Sequence, residues 1–405
     1  MKRKPVAAVV LVFVTTALAA LLAADSGRAS PADPGGLEWS RVTERDLDIA
    51  SVFLAARGQG LNAALDSLGS LAERDNSVRA QGHPLAHALG RYAMARGRDV
   101  AVLGECTPAF QSGCFHGVLE GYFLQGGTID TATAGRICAS RQARGVRGFE
   151  LLECWHGLGH GLMVHGGGDF RQALPLCDVL QPAQARRECL DGVFMERAIR
   201  AIGVTSINVG DGPGIGHAHG EHGQGASSAA AGSTQSAPRS KEEVRAAREQ
   251  LCGGLDGMHA ASCWAYQPLV LFNLLGMDPA GVLQRCDGAG DAAADCYRGF
   301  GKQYLGLTSG DAPRMIAACQ AGDRARTTDC LLGGVEYFTD LDWDIEPGIA
   351  FCRPVPGDAK PRCYEMIGAR LVLAHADTTP VRAACRRVES AFVGACLAGA
   401  GMRDG

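Results

Sequence analysis

Apolar and polar segments alternate with a fixed period in the second half of the chain. Each period opens with Asp or Pro, which are favoured at helix starts, as at Asp278 and Pro279. A polar connection separates a first cysteine from a second one, which opens a longer apolar segment such as the run from Cys296 to Leu305. The pattern predicts a short helix, a turn and a longer helix in every unit.

The sixteen cysteines form eight local pairs when they are joined in chain order. Seven pairs have a spacing between eight and twelve, and the Cys138 pair has a spacing of sixteen. An even number of cysteines without a Cys-x-x-Cys motif favours disulfide bonds in an oxidising compartment. Each bridge would clamp the two helices of a unit and restrict the unfolded chain by about 3 kcal/mol. The predicted bridges are Cys106–Cys114, Cys138–Cys154, Cys177–Cys189, Cys252–Cys263, Cys286–Cys296, Cys319–Cys330, Cys352–Cys363 and Cys385–Cys396.

The constant length of the unit predicts the fold class. From Cys263 onward, the second cysteines follow one another at a step of thirty-three or thirty-four, at Cys296, Cys330, Cys363 and Cys396. Such a step is typical of an all-α solenoid of tandem αα-hairpin repeats, with a helical bundle as the alternative. The architecture resembles tetratricopeptide-type proteins, particularly cysteine-bridged secreted members, in period and hairpin. The tetratricopeptide spacing of Trp, Leu-Gly and Tyr is missing, so the resemblance implies no function.

Residues 1–24 have the layout of a secretory signal peptide. Three basic residues precede an apolar run of 19 residues from Val6 to Ala24. The expected cleavage site follows Ala20 or Ala24, and an uncleaved N-terminal anchor is the alternative, because the run is long enough to span a membrane. The protein is therefore expected outside the cytoplasm, secreted or anchored, and membrane contact is expected only through this segment if it is not cleaved.

One interruption divides the repeats. The step from Cys189 to Cys263 is two periods and a remainder, and Cys252 is the only cysteine between them. The excess is rich in Gly, His and Ser and predicts a linker or insertion. The predicted parts after the signal peptide are an N-terminal segment (25–57), an N-terminal repeat arm (58–202), the insertion (203–240) and a C-terminal repeat arm (241–405).

Charge and motifs exclude several classes of function. The net charge is −4, and it becomes −7 without residues 1–24, with no basic cluster left, so no nucleic-acid partner is expected. The chain contains no nucleophile-turn, phosphate-loop or His-Glu-x-x-His motif, and paired cysteines argue against thiolate catalysis. The use of 34 arginines against 5 lysines indicates a GC-rich bacterial genome.

Metal-ligand residue types recur at matched positions in the N-terminal arm. They lie two and six residues after Cys114 and after Cys154, and another pair lies one full period before the first of these. Residues four apart share a helix face, so each pair can offer two ligands to one ion. In several units a glycine follows the first of these two positions directly and indicates close helix packing. Examples of these glycines are Gly117, Gly157, Gly192, Gly299 and Gly333. The candidate ligands are His83, His87, His116, Glu120, His156 and His160.

These residues predict one or two transition-metal ions, of zinc, copper, iron or manganese. Additional candidates are Asp191, which follows Cys189 by two residues, and His217, His219 and His222 in the insertion. With an open coordination position the site could catalyse hydrolysis or oxidation, and Glu120 could then act as a base. The alternative is a non-catalytic solenoid that binds a protein or peptide partner, its histidines being polar residues of a helix-packing seam.

Overall fold

The structure is a computed structural model in which every regular element of the described residues is helical. None of these helices combines the length and the apolar character that crossing a membrane requires. The predicted signal peptide and residues 204–240 of the predicted insertion lie outside the described part. The described residues are 44–97, 99–125, 129–143, 148–203, 241–341, 343–375 and 377–402.

Nineteen α-helices occupy the described part of the chain, and short helices alternate with long ones from residue 131 onward. The helices are α1 Glu44–Gln59, α2 Leu61–Arg74, α3 Asn76–Ala80, α4 Gly82–Gly97, α5 Gly113–Leu124, α6 Thr131–Ala143, α7 Phe149–His165, α8 Phe170–Asp178, α9 Ala183–Ala201, α10 Lys241–Glu249, α11 Gly257–Leu275, α12 Pro279–Asp287, α13 Ala293–Leu307, α14 Ala312–Cys319, α15 Thr327–Asp340, α16 Glu346–Cys352, α17 Lys360–Ala374, α18 Thr378–Cys385 and α19 Val393–Gly399.

The eight disulfides confirm the predicted local pairing. Their Cα–Cα distances lie between 5.4 and 5.8 Å. In the unit of α12 and α13, the bridge joins Cys286, near the end of the short helix, to Cys296, near the start of the long one. Each bridge therefore fixes where a long helix begins relative to the segment before it.

The long helices pack against one another in chain order. We call α4, α5, α7, α9, α11, α13, α15, α17 and α19 the long-helix row, because each contacts the next. Two helices that are distant in the row also meet, because α17 contacts α7. There the indole of Trp343 donates a hydrogen bond to Glu153 Oε1 at 3.0 Å, and its ring lies 5.9 Å from that of Phe149. A segment of the C-terminal part thus packs beside the N-terminal helices.

Glycines allow close approach of neighbouring helices in the row. Except for Gly157, glycines that lie three residues after a second cysteine face a carbonyl oxygen of the preceding long helix. Except for Gly401, glycines that lie five residues after a second cysteine face a carbonyl oxygen of the following helix. A Cβ atom would lie from 1.8 to 2.1 Å from these oxygens, which no real contact permits. The glycines and facing carbonyl residues are Gly192 with His156, Gly299 with Ala265, Gly333 with Arg298, Gly399 with Glu365, Gly159 with Cys189, Gly301 with Cys330 and Gly368 with Cys396.

We expect Gly333→Ala to destabilise the protein. The added methyl group would sit 2.0 Å from the Arg298 carbonyl oxygen, so α13 and α15 must separate, at a cost of about 1–3 kcal/mol. The matched control is Gly69→Ala inside α2, where a Cβ meets nothing within 4 Å and alanine should stabilise the helix by about 0.5–1 kcal/mol. Urea unfolding of both variants measures the difference. Equal midpoints would show that the contact does not limit helix packing.

Candidate metal centre

Three neighbouring helices of the long-helix row present the predicted ligands to one another. His83 and His87 lie on the first two turns of α4, and α5 packs against this helix through glycines. A Cβ at Gly113 would lie 2.7 Å from the His83 oxygen, and one at Gly117 would lie 1.9 Å from the His87 oxygen. The predicted role of Gly117 in close packing is therefore confirmed. This close approach of α4 and α5 brings imidazoles of the two helices into contact.

The five predicted histidines form one cluster, which we call the imidazole cluster. His116 lies at its centre, with ring centroids 5.0 Å from that of His87, 5.0 Å from that of His156 and 4.7 Å from that of His160. His83 adjoins His87 at 4.6 Å. His87, His116 and His160 are buried, with 3%, 2% and 0% of their surface exposed. The histidines that the repeat register selects therefore lie together in the folded protein.

Hydrogen bonds determine which ring nitrogens of His83 and His87 carry protons. Nδ1 of His83 lies 2.7 Å from the carbonyl oxygen of Phe110, and Nδ1 of His87 lies 3.0 Å from Glu120 Oε1. A carbonyl and a carboxylate only accept, so each Nδ1 donates. In the neutral rings both Nε2 atoms therefore carry lone pairs. These two atoms face each other at 3.0 Å, and His116 Nδ1 lies 3.2 Å from His87 Nε2.

The carbonyl that holds His83 belongs to an unusual turn before α5. Phe110, Gln111 and Ser112 have φ values of 56°, 54° and 59°, the left-handed region that side chains other than glycine rarely adopt. Strained backbone of this kind persists only where surrounding contacts hold it, and it is frequent at functional sites. Here the turn aims a carbonyl oxygen at His83 Nδ1 and so leaves the Nε2 atom directed toward His87.

Burial keeps the central imidazoles in their neutral form. Burial and the adjacent His87 lower the pKa of His83 to about 3. Burial, His160 and His156 hold the pKa of His116 well below its usual range. The pKa of His156 is likewise held well below its usual range by burial and by His160. Neutral imidazole is the form that binds a metal ion, so these rings are ready to act as ligands at physiological pH.

Two carboxylates orient histidines from the outer side of the cluster. Glu120 accepts from His87 Nδ1 and, through Oε2, from Arg91 Nη1 at 2.5 Å. Burial alone would raise the pKa of Glu120, but His87 and Arg91 hold it well below its usual range. Glu120 therefore stays ionised and fixes the His87 tautomer, as carboxylates behind metal-bound histidines do. The structure places it behind a candidate ligand, where its carboxylate is already occupied.

Glu196 on α9 repeats this arrangement for His160. Its Oε2 lies 3.2 Å from His160 Nδ1, and its Oε1 accepts from Arg200 Nε at 2.7 Å. Burial raises the pKa of Glu196, but its hydrogen bond and charge interaction with His160 and the charge of Arg200 lower it overall. The repeat register points to Met195 rather than Glu196, which lies one position further along. A search for any carboxylate within one residue of the register would have found it.

Ligand atoms of the cluster gather in three overlapping groups. Within each group the atoms lie within 4.8 Å of one another. Asp191 belongs to none of the groups found among the described residues. The groups are His83 with His87 and His116, His116 with His156 and His160, and Glu120 with His160 and Glu196.

Glu153 joins the imidazole cluster to the C-terminal helices. Its Oε2 lies 3.4 Å from His116 Nε2, and its Oε1 accepts from Trp343. Burial and the charge of Asp340 raise the pKa of Glu153 to about 7. Asp340 in turn pairs with Lys302 Nζ at 2.7 Å. A group of charged side chains therefore adjoins the imidazole cluster at Glu153. The sequence pattern did not indicate this group.

The remaining histidines lie apart from the cluster. His259 Nε2 pairs with Asp178 Oδ1 at 2.8 Å, and His375 is the residue that ends α17. The ring of His165 lies 6.2 Å from that of Phe123, and no ligand group of the described residues includes it. The three candidates of the insertion, His217, His219 and His222, lie outside the described residues.

We expect Glu188→Gln to stabilise the protein at pH 8 and not at pH 4. Burial and the neighbouring Asp191 raise the pKa of Glu188 far above its usual value. From about pH 5 to pH 8 the unfolded chain ionises here while the folded chain resists ionisation, so the unfolding free energy falls as pH rises. Glutamine does not ionise, so it removes this loss of unfolding free energy, which is on the order of 1 kcal/mol. Urea unfolding at both pH values measures it, and an equal gain at both would contradict the assignment.

Comparison with protein-family models, with curated proteins and with solved structures finds no match to this chain. The site is therefore interpreted from its own geometry. Its distinguishing feature is a buried set of imidazoles in which Nδ1 of His83, His87 and His160 is held by an acceptor while Nε2 of His83 and of His87 face each other.

Proposed function

We propose that the protein is an extracytoplasmic metalloprotein that binds a transition-metal ion through His83 Nε2, His87 Nε2 and His116 Nδ1, which we call the first triad. The carrying observation is that His83 Nε2 and His87 Nε2 face each other at 3.0 Å inside the protein, while Nδ1 of each ring is held by an acceptor. His116 Nδ1 can donate to His87 Nε2, but in neutral rings the two facing nitrogens are both acceptors, and a cation between them would remove the cost of this contact.

The distances of the first triad match the needs of a metal ion. Nitrogen ligands lie about 2.0–2.1 Å from such an ion, so two ligands of one ion are about 2.9–3.4 Å apart. The nitrogen of His87 lies 3.0 Å from that of His83 and 3.2 Å from that of His116. Binding through His116 Nδ1 moves the ring proton to Nε2, which faces Glu153 Oε2 at 3.4 Å.

The donor set restricts which metal ions can bind and which chemistry a bound ion can supply. Three neutral imidazoles suit zinc, copper, iron or manganese and leave coordination positions open for water, dioxygen or a substrate. An ion bound in this way supplies Lewis acidity or redox chemistry, consistent with hydrolysis or oxidation. Among the protein's own groups, Glu153 lies nearest to His116 on the side away from His87 and could hold a proton there.

Fold and compartment complete the proposal. The glycine-to-carbonyl contacts recur between units, which supports a solenoid of αα-hairpins rather than a bundle. Eight disulfides and the absence of a free cysteine from the described residues favour an oxidising environment outside the cytoplasm. The rigid scaffold would hold the ligands in place before the ion arrives.

We expect the oxidised protein, purified without chelator, to contain at least one transition-metal ion per chain, and His87→Ala to lose it. Elemental analysis measures this directly. A metal concentration 100-fold above Kd should raise the unfolding free energy of the wild-type chain by about 2.7 kcal/mol. His259→Ala is the control, because its ring pairs with Asp178 away from the cluster. A chain that neither contains nor is stabilised by metal would make the imidazoles a packing seam.

We expect Glu120→Gln to weaken metal binding without removing a ligand. The amide can still accept from His87 Nδ1, but the loss of charge beside Arg91 should reduce affinity about 10–100-fold at unchanged stoichiometry. Calorimetric titration measures both quantities. Glu249→Gln, which removes an exposed ion pair with Arg245, is the matched control. Lost stoichiometry in the Glu120 variant would instead identify this carboxylate as a ligand.

A further inference from the structure

The geometry points to a second metal ion beside the first, held by His116, His156 and His160, which we call the second triad. This inference rests on the proposed function, because it extends the same cluster. The three side chains each offer one nitrogen, and these atoms lie within 4.8 Å of one another. The two triads have only His116 in common. One ion can therefore be bound by all three residues of one triad only, and the other triad then holds no cation.

His160 supplies the strongest observation. Its side chain is fully buried, with 0% of its surface exposed. Nδ1 is committed to Glu196 Oε2 at 3.2 Å, and Nε2 has no hydrogen-bond partner in the described part of the chain. Buried nitrogens are almost always paired, so a lone pair left inside the protein calls for an explanation. A cation bound to Nε2 explains it and leaves the contact with Glu196 intact.

His116 can serve both ions because it has two ring nitrogens. Nδ1 faces the first triad, 3.2 Å from His87 Nε2, and the buried Nε2 makes no hydrogen bond to a described residue, its closest ion-pair contact being Glu153 Oε2 at 3.4 Å. A ring that binds an ion at each nitrogen keeps no proton. The second ion therefore displaces the remaining N–H proton of His116, and this proton leaves to the solvent. The ring also stacks on that of His160, with centroids 4.7 Å apart, so both belong to the same side of the cluster.

The third group of ligand atoms is a weaker candidate for the second ion. It combines His160 with two carboxylates, Glu120 and Glu196. Each carboxylate already accepts from a histidine and from an arginine, namely Arg91 or Arg200. A metal ion there would have to displace two charge-assisted hydrogen bonds, which are among the stronger ones in proteins. The second triad requires no such exchange, because the ring of His156 already lies beside that of His160, with centroids 5.1 Å apart.

The test counts ions in variants that change one triad each. The full oxidised chain is stripped with chelator, loaded with Zn²⁺ and measured by elemental analysis and calorimetry. We expect two ions per wild-type chain, one in His83→Ala, one in His156→Ala, none in the double variant and two in the control His259→Ala. Disulfide mapping and circular dichroism confirm that each variant is folded, and His156→Gln gives a second variant of similar size.

The possible counts separate this inference from the proposed function. A wild-type chain that binds no ion overturns both. A single ion that survives in His156→Ala and is lost in His83→Ala overturns the second ion and leaves the proposed function standing. A single ion with the opposite behaviour overturns the second ion and also moves the proposed site to the second triad.

Copper tests the shared ring directly. Two Cu²⁺ ions on the nitrogens of one His116 ring are magnetically coupled, so the wild-type chain should give an electron paramagnetic resonance signal below that of two independent ions. His156→Ala should then give the full uncoupled signal of one ion. Two uncoupled signals in the wild-type chain would overturn the role of His116 as a shared ligand.

Discussion

The contact between a glycine and the carbonyl oxygen of the neighbouring helix sets the spacing of the long-helix row. Gly117 lets α5 approach the His87 carbonyl, where a Cβ would lie at 1.9 Å, and Gly192 lets α9 approach that of His156, where it would lie at 2.0 Å. At Gly117 both helices carry histidines of the imidazole cluster, and at Gly192 a histidine of α7 contacts Glu196 of α9. The glycines therefore do more than save volume, because they bring rings from separate helices within coordination distance.

Electrostatics explains why so many histidines can share one interior. A cluster of charged imidazoles would repel, and burial suppresses protonation of His83, His116 and His156. Negative charge is kept behind the rings, where Glu120 and Glu196 are each neutralised by an arginine and each orient one imidazole. The result is a cluster of imidazoles with its carboxylates on the outer side.

The cysteine register predicted an all-helical chain with local disulfides, because each bridge joins the start of one helix to the segment before it. Counting two and six residues from the second cysteine of a unit identified His116, His156 and His160, and one further period toward the N-terminus identified His83 and His87. The same counting selects Met195 and leaves Glu196 one residue beyond the register, and it could not show that Glu120 faces Nδ1 of His87. The contact between Glu153 and Trp343 joins residues 190 positions apart, and a local period carries no information about such contacts.

The later units show why the candidate site stays in the first part of the row. At the positions equivalent to the histidines, the units of α13 and α15 carry Arg298, Lys302 and Glu336, which form ion pairs. Other equivalent positions carry Ala265, Leu269, Leu332, Glu365 and Ala369. Arg298 Nε lies 3.4 Å from Glu336 Oε1, and Lys302 Nζ lies 2.7 Å from Asp340 Oδ2. Paired charges satisfy one another and leave no lone pair for an ion. The same register therefore holds an imidazole cluster in the first units and ion pairs between helices in the units of α13 and α15.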